Sequence, residues 1–366
     1  MDVKKENRNR IYRLIARNGL ISKADIARRL HVSLPTVAQN VRDLMTGGLV
    51  RENGNLESTG GRKAVALTRV KNARTAVGID ITRLHVAVVV VDMEGEVVAR
   101  ARKPLPFATN SAYARTLARV VNRLVSDSGI EKNGILGAGV ALPGILDPDG
   151  RKVDSYVLPA DGHECAAITR YLDYPCVFCN DANAAGLAEL WTGQSPDTFV
   201  YLSLSNSVGG AVILDRKLYS GGSERAGEFG HLTLVRGGDR CYCGKRGCID
   251  AYCNAGLLSD LAGGNIAAFF QNMELGDRSA QAAWNRYLDY LATAVNDLRM
   301  AFDCDVIIGG YVGAHMAKHL DDLRQRAAKL DTFLPDGSYV KVCRCLFEPS
   351  AVGAALLHIE RFIDSI

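Results

Sequence analysis

The run GEFGHLTLVRGGDRCYCGKRGCID, residues 227 to 250, constrains this chain more than any other stretch. It places His231, Cys241, Cys243 and Cys248 within eighteen residues. Three thiolates and one imidazole suffice to close a tetrahedral zinc site. Gly244 and Gly247 let the chain double back so that three sulfurs can meet one ion. Two acids frame the cluster, Glu228 before the histidine and Asp250 after the last cysteine. A loop that held only a structural metal would not need them. The alternative is a set of unrelated reduced thiols; the C-x-C-G-x-x-G-C spacing favours the metal.

The same run is similar to the signature of the ROK family: GExGH, ten residues to C-x-C-G-x-x-G-C, then an acid. That family joins sugar kinases and sugar-responsive transcriptional repressors on an actin-like (sugar kinase) fold. The rest of the chain decides which branch it resembles.

At 366 residues the chain is too long for one ordinary core, and two or three domains are expected. A hydrophobic share of 48% with 36 glycines suits an α/β protein with many tight turns. No apolar run approaches membrane-spanning length, and the polar start MDVKKENRNR has no signal-peptide core. Ten cysteines without an export signal, three of them at metal spacing, point to a reducing cytoplasm. The other seven cysteines read as small buried apolar groups. Charge is uneven. Residues 1–70 hold fourteen basic and six acidic residues, a net of +8, and the remainder thirty and thirty-four, a net of −4, which together give the chain's +4. The nucleic-acid footprint is therefore confined to the first segment.

That segment, residues 1–72, reads as a winged helix-turn-helix. The pattern predicts a helix over 9–17, a second over 23–30 capped by Ser22, and a third capped by Ser33 running to about Thr46. Leu34, Val37, Val41 and Leu44 form the expected buried stripe of the third helix. Ser33, Pro35, Thr36, Gln39 and Asn40 are then the DNA-facing candidates, with Arg42 on the same face. Gln and Asn can pair bidentately with adenine. A hairpin follows, Leu49–Glu52 and Ala64–Thr68. Its tip, Ser58-Thr59-Gly60-Gly61-Arg62-Lys63, offers Arg62 and Lys63 to the minor groove. Repressors of the ROK family carry a similar tip. A protein-docking module with a solvated basic loop is the other reading of these residues.

Residues 73–366 alternate strands and helices, as an α/β domain requires. Their order resembles the duplicated actin-like domain, in two lobes. ROK kinases hold nucleotide with three glycine-rich turns, because only glycine lets backbone N–H groups approach phosphates so closely. The first resembles D-x-G-x-T but reads Asp80-Ile81-Thr82-Arg83-Leu84. The second resembles G-T-G-x-G-G but reads Ser205-Asn206-Ser207-Val208-Gly209-Gly210. The third keeps Gly309-Gly310, followed by Tyr311. Two eroded turns of three argue against a kinase.

The sugar side is better kept. Asn180-Asp181-Ala182-Asn183-Ala184-Ala185 resembles the family's N-D-A-N-A-A run, and Asp181 holds the position of the kinases' catalytic base. The resemblance implies sugar contacts for Asn180, Asp181, Glu228, His231 and Asp250. Asp250 replaces the usual glutamate and is one methylene shorter. Val157 stands where the family often has an asparagine, and it cannot hydrogen-bond a hydroxyl. A helix cap by Asn180 is the competing structural role.

The combined reading is a sugar-responsive repressor without catalytic residues. It would bind a double-stranded DNA operator and a sugar or sugar derivative, hold one zinc ion, and act as a homodimer or dimer of dimers. Two rivals stand beside it: an ATP-dependent ROK sugar kinase with an added N-terminal module, and a repressor controlled by a protein partner.

Overall fold

The computed structural model describes residues 3–56, 64–160, 162–333 and 335–366. Three helices open the chain: α1 Val3–Asn18, α2 Lys23–Leu30 and α3 Leu34–Thr46. The Ser22 hydroxyl accepts from the Asp25 amide at 3.1 Å, and Ser33 from Thr36 at 3.3 Å. Each satisfies an orphan donor of the first turn. The antiparallel hairpin β1 Val50–Asn55 and β2 Val65–Arg69 completes the unit. The wing tip, with Arg62 and Lys63, lies outside the described residues.

Helix α3 corrects the expected stripe. Val37, Val41 and Leu44 are buried, but Leu34 is 52% exposed and Asn40 only 2%. The buried arc centres on Val37 and Leu44, so it takes in Asn40 and leaves Leu34 at its rim in the first turn. The Asn40 amide donates to the Thr36 carbonyl at 2.8 Å, inside the helix unit.

The first lobe contains β3 Thr75–Ile81, β4 His85–Asp92, β5 Val97–Pro104, α4 Ser111–Asp127 and β6 Ile135–Leu142. Three short strands, β7 Ile145–Leu146, β8 Lys152–Asp154 and β9 His163–Glu164, make a side sheet that the hydrophobic pattern did not announce. Then come α5 Cys165–Thr169, β10 Cys176–Asn180 and α6 Asp181–Trp191. The second lobe has β11 Phe199–Leu204, β12 Val208–Leu214, β13 Lys217–Leu218 and short helices α7 Asp250–Cys253 and α8 Gly256–Ser259. It continues with α9 Ile266–Glu274, α10 Arg278–Phe302, β14 Asp305–Gly309, α11 Gly310–Gly313, α12 Leu320–Ala328 and β15 Val340–Val342. A final helix, α13 Pro349–Ser365, returns to the first lobe.

The two sheets repeat one plan. Their orders are β10-β6-β3-β4-β5 and β15-β14-β11-β12-β13. In each, the first strand pairs antiparallel with the second and parallel with the strand after the helical crossover. This is the expected duplication.

Helix α13 binds the parts together through small residues. A Cβ on Gly78 would lie 1.9 Å from the Ala351 oxygen, and one on Gly139 1.9 Å from the Ala354 oxygen. A Cβ on Gly353 would lie 1.7 Å from the Ala184 oxygen of α6. At its other end α13 carries the winged helix. Ile11, Tyr12 and Ile15 of α1 share one apolar cluster with Val89 and Val91 of β4 and Ile359 and Ile363 of α13. Arg13 sits 2.7 Å from both Glu360 and Asp364, and Arg69 2.8 Å from Glu94.

Gly353→Ala should therefore lower the free energy of unfolding by about 1–3 kcal/mol, as overpacking of a filled core does. Urea denaturation measures it. Gly134→Ala, at a position with open space on its Cβ side, is the reference. Equal and negligible effects at both would refute the close α6–α13 contact.

Candidate functional site

The cleft between the lobes is floored by the start of α6. Asn180 is the N-cap: its Oδ1 accepts from the amides of Ala182 at 2.9 Å and Asn183 at 3.0 Å. Its Nδ2 donates to the Gly144 carbonyl at 3.1 Å. The capping role is thus present, and it fixes the side chain at the pocket wall. Asp181 Oδ1 accepts from the Ala182 amide at 2.9 Å, leaving the other carboxylate oxygen for a ligand. Glu228 and His231 line the same small pocket as Asn180 and Asp181.

Burial pushes the carboxyls of Asp181 and Glu228 above their ordinary range, and for Glu228 the charge of Asp181 adds to it. Asp80, on β3, is raised well above it, by burial first and then by Asp181 and Glu348. A buried acid site of this kind favours hydroxyl partners, which can donate to a carboxylate or accept from a carboxylic acid.

Asp250 departs from the expected sugar contact. It is 3% exposed, and its Oδ1 accepts from the Val208 amide at 2.5 Å. It is not among the residues that line the pocket. The shorter side chain is spent on holding the β11–β12 turn. Two residues that sequence reasoning passed over do line it, Tyr156 and Tyr242. Only their neighbours signalled them: Tyr242 lies between two cysteine ligand candidates, and Tyr156 precedes Val157.

The metal candidates come together as their spacing implied. One ligand atom from each of His231, Cys241, Cys243 and Cys248 lies within 4.8 Å of the others. The Cys243 and Cys248 sulfurs are 3.8 Å apart. A tetrahedral zinc with Zn–S bonds of about 2.3 Å has sulfur–sulfur edges of about 3.8 Å, so the donor set fits that ion. Gly244 and Gly247 adopt φ of 88° and 82°, the reversal that closes the loop. His231 faces two ways. Its Nδ1 is 3.9 Å from the Cys241 sulfur, and its Nε2 is 3.4 Å from the Tyr242 hydroxyl in the pocket.

The turns that would hold phosphates do other work. Thr82 donates its hydroxyl to the His85 carbonyl at 2.9 Å and closes the β3–β4 turn, and Leu84 is 65% exposed. Arg102 lies 2.7 Å from Glu348, and Tyr311 lines the same cleft.

On the winged helix, Ser33, Pro35 and Gln39 are exposed and Thr36 is half-buried. The Ser33 and Thr36 hydroxyls are 2.8 Å apart. Arg42 donates to Gln39 Oε1 at 2.6 Å, and Gln39 Nε2 to Asp43 at 2.8 Å, so one hydrogen-bonded network crosses the exposed face. Asn40, buried beneath it, cannot reach a base.

Comparison with known proteins agrees with this geometry. The ROK family model matches residues 76–361, and a winged helix-turn-helix DNA-binding model matches residues 4–51. The xylose repressor of Bacillus subtilis (strain 168) is 26% identical over 377 residues, covering 100% of this chain and 97% of that protein. The DNA-binding transcriptional dual regulator NagC of Escherichia coli (strain K12) is 26% identical over 252 residues, covering 68% of this chain and 62% of its own length. Among solved structures, a ROK family transcriptional regulator, a homolog of the E. coli MLC protein, aligns with a TM-score of 0.77 at 20% identity, over 99% of this chain and 97% of that one. A ROK family glucokinase from Streptomyces griseus, in complex with glucose and AMPPNP, aligns with a TM-score of 0.64 at 23% identity, over 77% and 98%. These last two likenesses establish the fold. Among the described residues no helix is long and apolar enough to cross a membrane. The chain belongs to the ROK family, with a winged helix-turn-helix joined to the front of the ROK domain.

Proposed function

We propose that this protein is a sugar-responsive transcriptional repressor that binds double-stranded operator DNA and does not phosphorylate its ligand. One observation carries the reading. A DNA-binding unit is packed through a continuous apolar core onto α13 of the first lobe, and the cleft at the other end of that helix keeps sugar-side acids beside eroded phosphate turns. Phosphoryl transfer depends on holding the γ-phosphate in line with its charge neutralised. Thr82, Leu84, Asn206 and Ser207 stand where those groups would be. Asp181 then serves as a hydroxyl partner with no phosphate to attack. The kinase rival loses its chemical basis here.

Helix α3 enters the major groove, where Ser33, Pro35 and Thr36 contact the backbone and first bases. Gln39, braced by Arg42, reads a base edge. Arg62 and Lys63 follow the minor groove. A winged helix reads one half-site, so two copies of the chain share a two-fold operator. His231, Cys241, Cys243 and Cys248 hold one zinc ion, whose binding contributes to folding of the 227–250 loop and orients His231 toward the ligand.

Signal passes along α13. Glu348, Pro349 and Ser350 at its start line the cleft, and its end carries α1. A ligand that favours one lobe spacing shifts α13 and with it the winged helix. It does so by as much as its affinities for the two arrangements differ.

Gln39→Ala is expected to cost about 1–3 kcal/mol at one base pair per half-site and to relax preference there, measured by binding to an operator series. Unchanged preference would place α3 elsewhere. Metal analysis of the wild type should find one zinc per chain, and Cys243→Ser should lose it together with thermal stability. A full complement in the variant would show the ligand set to be wrong. In a coupled assay with ATP, magnesium and a bound sugar, no ADP release above background is expected; Asp181-dependent release would restore the kinase.

A further inference from the structure

The cleft holds two spaces that share a wall. The inner one, about 60 Å³, is lined by Asn180, Asp181, Glu228 and His231. It is the smaller of the two and opens directly onto the other. Tyr156, Val157, Ser207 and Tyr242 line both this space and a cavity of about 720 Å³ beyond it. The larger volume falls in the roughly 300–1,000 Å³ range of small-molecule sites. A ring seated on Asp181 and Glu228 has the large cavity directly beside it, since Asp181 lines both spaces.

That cavity suits neutral polar groups. Four carboxyl groups face it, from Asp80, Asp181, Asp260 and Glu348, against the guanidiniums of Arg83 and Arg102. Arg102 is already engaged by Glu348 and the His85 ring. A polyphosphate would meet four carboxyl groups and only two guanidiniums, one of them already paired. Hydroxyl groups pair with either, and Ser203, Ser205, Asn206 and Ser207 add uncharged donors and acceptors along one wall. At the junction of the two spaces stand two tyrosines, Tyr156 at 73% and Tyr242 at 46% exposure, with ring centroids 6.4 Å apart and planes tilted by 51°. Such rings offer an apolar face and a polar edge, which matches a sugar ring's C–H face and its equatorial hydroxyls.

We infer that the effector is a neutral saccharide of at least two units, its terminal ring held by Asp181 and Glu228 and its next unit laid on Tyr156 and Tyr242 toward the Ser205–Ser207 turn. The inference rests on the repressor reading and specifies the ligand of that site.

Calorimetry on the full-length protein tests it. Cellobiose, xylobiose and N,N′-diacetylchitobiose are titrated beside glucose, xylose and N-acetylglucosamine, and each is added to an operator-binding assay. At least one disaccharide should bind about tenfold more tightly than its own monosaccharide, the effect of one aromatic contact, and should alter operator affinity. Tyr156→Ala, and Asn206→Trp at an exposed turn position, should each weaken the disaccharide about tenfold and the monosaccharide less. Asp181→Asn should weaken both lengths. A monosaccharide that binds as tightly as every disaccharide, in the wild type and both cleft variants, overturns the second subsite and leaves the repressor reading standing. If no saccharide of either length binds or changes operator affinity, the sugar-responsive reading fails with it.

Discussion

Everything in this molecule is hung on the seating of α13. The helix lies on the first sheet and on α6 at backbone contact distance, which Gly78, Gly139 and Gly353 make possible by having no side chain. Cores are packed at crystal-like density and do not deform continuously. The helix therefore moves as a body or not at all. Its first residues line the cleft and its last turns hold Arg13 and the apolar face of α1. The one helix therefore joins the cleft physically to the winged helix.

The second organising constraint is the charge arrangement in the cleft. A kinase must gather positive charge and backbone amides around phosphate. Here Glu348 neutralises Arg102, Asp80 is buried beside the acidic Asp181 and Glu348, and a threonine hydroxyl closes the first turn on itself. Each change alone is small. Together they turn a phosphate-binding face into one that favours hydroxyls. The cysteine loop complements this by fixing His231, whose two nitrogens face the sulfur cluster and the pocket. A metal bound at the thiolates would set the imidazole's orientation and hence the pocket wall.

Much of the fold was legible in one dimension. The helix caps Ser22 and Ser33 appear where the sequence placed them, because capping is a local bond between near neighbours. The alternating strands and helices expected over residues 73–366 are there, since a run of β-branched residues between turns signals itself. The four metal candidates converge because short spacing and two glycines leave the loop little choice. The side sheet β7–β9 and the short helices after Asp250 went unread; strands of two or three residues and helices of four carry no periodicity to detect.

What the sequence determined by itself was therefore the local and the repeated: the helix-turn-helix, the alternation of strands and helices in an α/β domain, the sulfur–imidazole cluster, and the loss of two phosphate turns. Tertiary structure decided which way individual side chains face. Asn40 lies inside and Leu34 outside because the arc of α3 that is buried depends on how α1 packs against it. Asp250 serves the Val208 amide because the β11–β12 turn, forty-two residues away along the chain, folds over it. Tyr156 and Tyr242 meet at the pocket mouth only after two distant loops close on the same cleft. Such contacts join residues far apart in the chain, and neither periodicity nor spacing carries information at that range.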